Sequence, residues 1–171
     1  MGYSTDFHGS LDIEPALSRH HYAYIAAFCG SRRMIRDPDK FEGNTADDAR
    51  ILVGLPKGKD GKFCIGGGEF GQANDPSILN YNRPPPSQPD LWCRWSVESD
   101  GKELYADDGK NYYTTEWLQY LIDNFFAPWG YKLNGTIDAS GEESGDVWRI
   151  VVRDNSVEKW VGKIVYELQN P

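Results

Sequence analysis

The sequence predicts an α+β domain: a mostly antiparallel sheet with two main helices packed on one of its faces. Three observations carry this expectation. Residues 131–168 fall into the apolar-rich runs "YKLNGTIDAS", "DVWRIVVRD" and "VEKWVGKIVYEL", separated by the turns "GEESGD" and "DNS", which is the pattern of an antiparallel meander. Two longer stretches, 15–33 and 114–130, repeat their apolar residues at helical spacing instead. Strand and helix do not alternate regularly, so nothing indicates a parallel βαβ sheet.

Residues 3–13 alternate imperfectly and predict an opening strand, with Gly9 as a candidate bulge. In "PALSRHHYAYIAAFCGSRR", Pro15 suits a first helical position, Leu17, Tyr24, Ile25, Phe28 and Cys29 share one face, and Gly30 is a stop signal. The arginine-rich residues that follow are compatible with one more helical turn before Asp37-Pro38 forces the chain out of helix. "NTADDARILVG" is a short helical candidate and "LPKGKDGK" a loop. "KFCIGGGEFGQANDP" reads as a strand dissolving into a turn at Gly66, Gly67 and Gly68. Those glycines match neither the Walker nor the dinucleotide-binding spacing, and no other cofactor fingerprint is present.

From Leu91, "LWCRWSVESDGKELYADDGKNYY" predicts a β-hairpin turning at Ser99-Asp100-Gly101. The clearest element follows, a helix over 115–127. Thr114 or Thr115 is its N-cap candidate, Trp117, Leu118, Leu121, Ile122 and Phe125 form its apolar stripe, and Pro128 and Gly130 end it.

A chain of 171 residues with 39% hydrophobic and 13% aromatic content is enough for one globular domain spanning 1–171. No stretch approaches the roughly 20 apolar residues of a membrane span, and a cytoplasmic protein without membrane contact is expected. Cys29, Cys64 and Cys93 lack a CxxC pairing or a nearby histidine and read as reduced, buried thiols. Residues 1–62 hold nine basic and nine acidic side chains, while 63–171 hold nine against seventeen, so the net charge of −8 lies entirely in the second part. This argues against direct nucleic-acid binding, which requires a basic face.

The blocks "MGYSTDF", "NYNRPPPSQPDLWCRW" and "EWLQYLIDNFFAPWGYKLNG" together resemble a family of small uncharacterised proteins of phages, prophages and actinobacteria. "GEESGDVWRIVV" is similar to that family's acidic turn before a strand, whereas residues 41–62 depart from the pattern. The resemblance implies a compact domain and brings no catalytic residue with it. A phage setting implies a role directed at a host or defence protein, or at a defence signal.

Two stretches stand out as candidate sites. In "SRRMIRD", Arg32 and Arg36 would share a face on a helical continuation and, with Arg33, could grip one phosphate or carboxylate. A helix C-terminus also favours cations without any ligand. In "NYNRPPPSQPDLWCRW", an extended proline backbone could present Tyr81, Asn82, Arg83 and Gln88, with Trp92 free to stack on a flat ligand. Strand alternation places Trp92 and Arg94 on one face and Leu91, Cys93 and Trp95 on the other, so one tryptophan is expected in the core. A plain connector that caps the core is the competing reading.

The expected function is therefore non-enzymatic capture of a small phosphorylated or nucleotide-like ligand, by the chain alone or as a homo-oligomer. On this reading Arg33→Ala should leave melting nearly unchanged. The alternatives are an acidic inhibitor that works by protein contact or nucleic-acid mimicry, motivated by Glu98, Asp100, Glu103, Asp107 and Asp108, and a nucleotide-processing enzyme. No catalytic residue is nominated: acid pairs such as Glu142-Glu143 fall in turns, and no serine-nucleophile motif is present. No metal ligand is nominated either, because the adjacent His20 and His21 diverge on a helix and His8 stands alone.

Overall fold

A computed structural model of the chain describes residues 2–66 and 74–170. Gly67 and Gly68, part of the expected glycine turn, lie outside the described residues. Among the described residues the architecture is α+β, built on a seven-stranded sheet in which every pairing is antiparallel.

The opening strand is divided into β1 (Thr5–His8) and β2 (Leu11–Glu14). Both pair with β7 (Lys132–Gly141) in one continuous register, from Thr5 opposite Gly141 to Glu14 opposite Lys132. The break falls at Gly9, where φ is +106° and an added Cβ would sit 2.5 Å from the Thr136 carbonyl oxygen. Only glycine takes that conformation at such close approach. The sheet order is completed by the hairpin β5 (Trp95–Val97) and β6 (Glu103–Ala106) on one side, and by β8 (Val147–Arg153) and β9 (Ser156–Val161) on the other, giving β5-β6-β2-β7-β8-β9 with β1 also on β7. The predicted hairpin and meander are both present.

One face of this sheet is buried. Phe7, Leu11, Ile13, Trp95, Val97, Leu104, Ala106, Leu133, Ile137, Ala139, Ile150 and Val152 point into the core, whereas Asp6, His8, Asp12 and Glu14 alternate out to water. Since only one face is apolar, both main helices must cover it.

Helix α1 (Arg19–Cys29) begins four residues later than Pro15 suggests. Ser18 is its N-cap, its hydroxyl accepting the His21 N–H at 3.2 Å, and Pro15 follows a cis peptide bond in the turn before it. Its buried face is Tyr24, Ile25, Phe28 and Cys29, as the spacing predicts. The helix stops at Gly30, and the chain then runs into a two-residue strand, β3 (Ile35–Arg36), paired with β4 (Ile78–Asn80) in a separate small ribbon. The anticipated extra helical turn through the arginines is thus absent. The short helix α2 (Asp48–Leu52) carries a buried Arg50–Asp47 ion pair at 2.7 Å, and residues 62–66 form no strand.

Helix α3 (Thr114–Leu121) starts one residue before the expected range, with Thr114 inside it, and widens into a π-helical turn over Ile122–Phe126. The Ala127 N–H reaches back five residues to Ile122 O at 2.9 Å. This phase shift buries Phe125 and Phe126 together, although neighbouring residues on a regular helix diverge by about 100°. Phe125 meets Phe28 edge-to-face with centroids 5.0 Å apart and Tyr24 at 5.3 Å, which locks α3 onto α1. No helix among the described residues is long and apolar enough to cross a membrane.

Candidate functional site

The two stretches singled out from the sequence lie side by side. After Gly30, the Ser31 hydroxyl donates to Ala27 O at 2.6 Å and accepts the Gly66 N–H at 2.9 Å, which turns the chain away from the helix axis. The backbone then runs along the proline-rich segment, with Arg33 N–H on Leu91 O at 2.8 Å and Ile35 N–H on Arg83 O at 2.9 Å. These main-chain hydrogen bonds set the register of the two stretches, and side-chain bonds between them add to it.

Their side chains divide into two groups. Arg33, Arg36 and Gln88 face inward and are 2%, 3% and 5% exposed, so they cannot hold an external phosphate as expected. Arg33 lies 4.0 Å from the Phe28 ring centroid and donates to Gln88 Oε1 at 3.2 Å and Lys62 O at 2.8 Å. Gln88 in turn donates to Lys62 O and to the Tyr120 hydroxyl. The Gln88 N–H closes a turn on Pro85 O at 2.8 Å, so the proline segment folds Gln88 inward instead of presenting it on an extended rod. Arg36 donates to Asp75 and Ser77, both at 2.7 Å, and to Gly66 O. Burial opposes the charge on Asp75, but hydrogen bonds from Ser77 and Arg36 outweigh it and hold the carboxyl below its usual range.

Arg32, Tyr81, Asn82, Arg83 and Trp92 make up the outward group. The Arg32 guanidinium donates to Tyr81 O at 3.0 Å and Asn82 Oδ1 at 3.2 Å, and lies 4.2 Å from the Tyr81 ring centroid. It is also 5.9 Å from the Trp92 ring, and Arg94 stands at the same 5.9 Å from that indole. Trp92 is 37% exposed while Trp95 is 1% exposed, which matches the expected division of the two tryptophans. Arg83 is exposed at the edge of this group.

Trp92 and Arg94 also line a groove of about 380 Å³ between α1 and the β5–β6 hairpin. Cys29, Cys93, Trp95, Ser96, Tyr105 and Asp107 line it with them; the Asp107 N–H donates to Arg94 O at 3.0 Å, and the Ser96 hydroxyl donates to the Asp107 carboxylate at 2.8 Å. Arg94, Ser96, Tyr105 and Asp107 are additions to the sequence-derived ligand set. The signal for Arg94 was its two-residue offset from Trp92, whereas Asp107 required the hairpin register that sets Trp95 opposite Ala106. Cys29 and Cys93 are buried with sulfurs 3.5 Å apart, and burial first, then the hydrogen bond between them, pushes the Cys93 thiol well up. Both are buried packing residues, and the raised Cys93 thiol is a poor nucleophile.

Elsewhere, His21 stacks on Trp129 at 4.0 Å and its Nδ1 lies 2.8 Å from the Tyr131 hydroxyl. Among the described residues no group of three or more His, Cys, Asp or Glu side chains is arranged to hold a metal ion. No protein-family profile, curated protein or solved structure matches the chain.

Proposed function

We propose that this is a non-enzymatic binding protein for a small anionic, nucleotide-like ligand, held at Trp92 and in the adjoining groove. One observation carries the reading: an exposed indole flanked by two guanidiniums, Arg32 and Arg94, neither of which makes an ion pair among the described residues. In a chain of net charge −8, carboxylates able to neutralise them are plentiful. Two guanidiniums near a flat aromatic face, neither of them in an ion pair among the described residues, suit a ligand that is both planar and negatively charged. The groove's 380 Å³ falls within the roughly 300–1,000 Å³ typical of small-molecule sites. In this reading Arg94 and Arg32 meet the phosphate, Trp92 stacks on the base, and Asp107 accepts an exocyclic amine. In a phage, capture of this kind would sequester a defence signal.

Calorimetry against mononucleotides, cyclic dinucleotides and ADP-ribose derivatives tests the proposal. Binding of one class, weakened at least about tenfold by Arg94→Ala and by Trp92→Ala, is the expected result. No binding across the panel, or binding indifferent to both substitutions, overturns it. Recovering the ligand intact after denaturing the protein distinguishes capture from turnover.

A second reading rests on a depression of about 400 Å³ lined by Glu98, Glu103, Asp107 and Asp108, which would suit contact with a basic protein surface. Three of these four acids already accept internal hydrogen bonds, Glu103 from the Ser10 hydroxyl at 2.9 Å, Asp107 from the Ser96 hydroxyl at 2.8 Å and Asp108 from the Phe7 N–H at 2.7 Å, and the first reading is therefore preferred. Partner capture that is unchanged between low and high salt counts against charge-driven contact.

A further inference from the structure

The sequence pattern and the sheet disagree at one place. "VEKWVGKIVYEL" predicts a strand through Leu168, yet β9 ends at Val161. The last ladder bond is from the Gly162 N–H to Val147 O at 2.8 Å, because β8 begins at Val147 and offers no partner beyond it. No backbone hydrogen bond joins residues 163–170 to any described residue. The segment is nevertheless rich in apolar side chains, with Ile164 51%, Val165 77%, Tyr166 91% and Leu168 91% exposed. Unpaired strand-forming residues of this kind at the open end of a sheet are a template for another strand.

We propose that residues 162–168 pair, along the edge that faces away from β8 and carries the Val165 N–H, with the same residues of a second copy of this chain, forming an antiparallel ribbon around a two-fold axis. The occupant follows from the sequence itself. A two-fold axis perpendicular to the ribbon keeps each side chain on its own face, so one residue must lie on the axis and its neighbours must pair across it. With Val165 on the axis, Ile164 faces Tyr166 of the other copy, Lys163 faces Glu167, and Gly162 faces Leu168, each pair occurring twice. Apolar side chains meet apolar ones, and each lysine meets a glutamate. Shifting the axis to Lys163 or Glu167 would bring like charges together. In extended backbone Ile164, Tyr166 and Leu168 continue the face of Trp160, itself 55% exposed, so the ribbon sets the apolar stripes of the two copies side by side.

Sedimentation velocity on the full chain, from low micromolar to near-millimolar concentration, reads the association directly. The expected result is a monomer–dimer equilibrium weakened at least about tenfold by Lys163→Glu or by Glu167→Lys alone, since each places like charges opposite one another twice. The double exchange should restore it, and Val165→Pro should abolish it by removing the axial N–H. All these positions lie beyond the last strand pairing, so at concentrations where the parent is monomeric circular dichroism and melting should stay unchanged. A chain that remains monomeric throughout, a dimer that ignores the charge exchange or Val165→Pro, or open-ended oligomers overturn the proposal.

Discussion

Arg33 shows how far a side chain's role can differ from its composition. It carries a charge into the core without a carboxylate; its Nη1 has no partner among the described residues, and burial lowers the pKa of the guanidinium. Such a group is held by its neutral acceptors and by the Phe28 ring, at an unfavourable desolvation cost. Arg33→Ala would leave both a cavity and an unsatisfied Gln88 carbonyl, so a loss of about 3 kcal/mol in urea unfolding is expected. This reverses the expectation, drawn from the sequence, that the substitution leaves melting unchanged. Arg33→Met fills the same space and removes the buried charge, and should cost distinctly less. Equal losses for the two variants would show that the hydrogen bonds, not the volume, carry the stabilisation. The two candidate stretches were legible in the sequence, but neither their proximity nor the direction of each side chain was. Arg32 and Arg33 are adjacent with the same chemistry, and the tertiary partners of each, Tyr81 and Asn82 for one and Gln88, Lys62 O and Phe28 for the other, decide which faces out and which in.

Among the elements, α3 and its π-helical end support the core. Leu118 and Leu121 are wholly buried and Trp117 nearly so, as the four-residue recurrence of apolar residues requires. Leu121→Ala should cost about 2–5 kcal/mol and lower the melting temperature clearly. A variant that melts like the parent would mean that this helix does not carry the core. Periodicity read from sequence finds such elements because their burial repeats with the backbone. It missed the π turn over Ile122–Phe126, which exists because the core accepts Phe125 and Phe126 side by side, a property of the cavity they fill and not of their spacing. It also carried β9 seven residues too far, because apolar alternation marks the capacity to pair while β8 sets where a partner exists. Pro15 misled for a local reason: Ser18 offers the stronger start, with a hydroxyl that satisfies a free N–H at the helix end.

At the scale of the whole molecule, burial acts on several acidic groups in the same direction. Burial pushes the Cys64 thiol up from 9.0 to about 11, and also raises Cys93, Tyr24 and Tyr120. Well below pH 9 these groups are protonated whether the chain is folded or not. As pH rises from 9 toward 11, the unfolded chain releases protons that the folded one retains, so the unfolded state binds fewer and stability must fall. Urea midpoints should therefore hold on the approach to pH 9 and decline through that window; a level midpoint would mean that the four groups are not held neutral by the fold. The sheet order also bears on how the protein is made. Because β1 and β2 pair with β7, their partner leaves the ribosome on the order of ten seconds after they do, at ordinary rates of synthesis. During that interval Phe7, Leu11 and Ile13 lack their β7 partner, and the half-made chain leaves to water an apolar face that the finished fold buries.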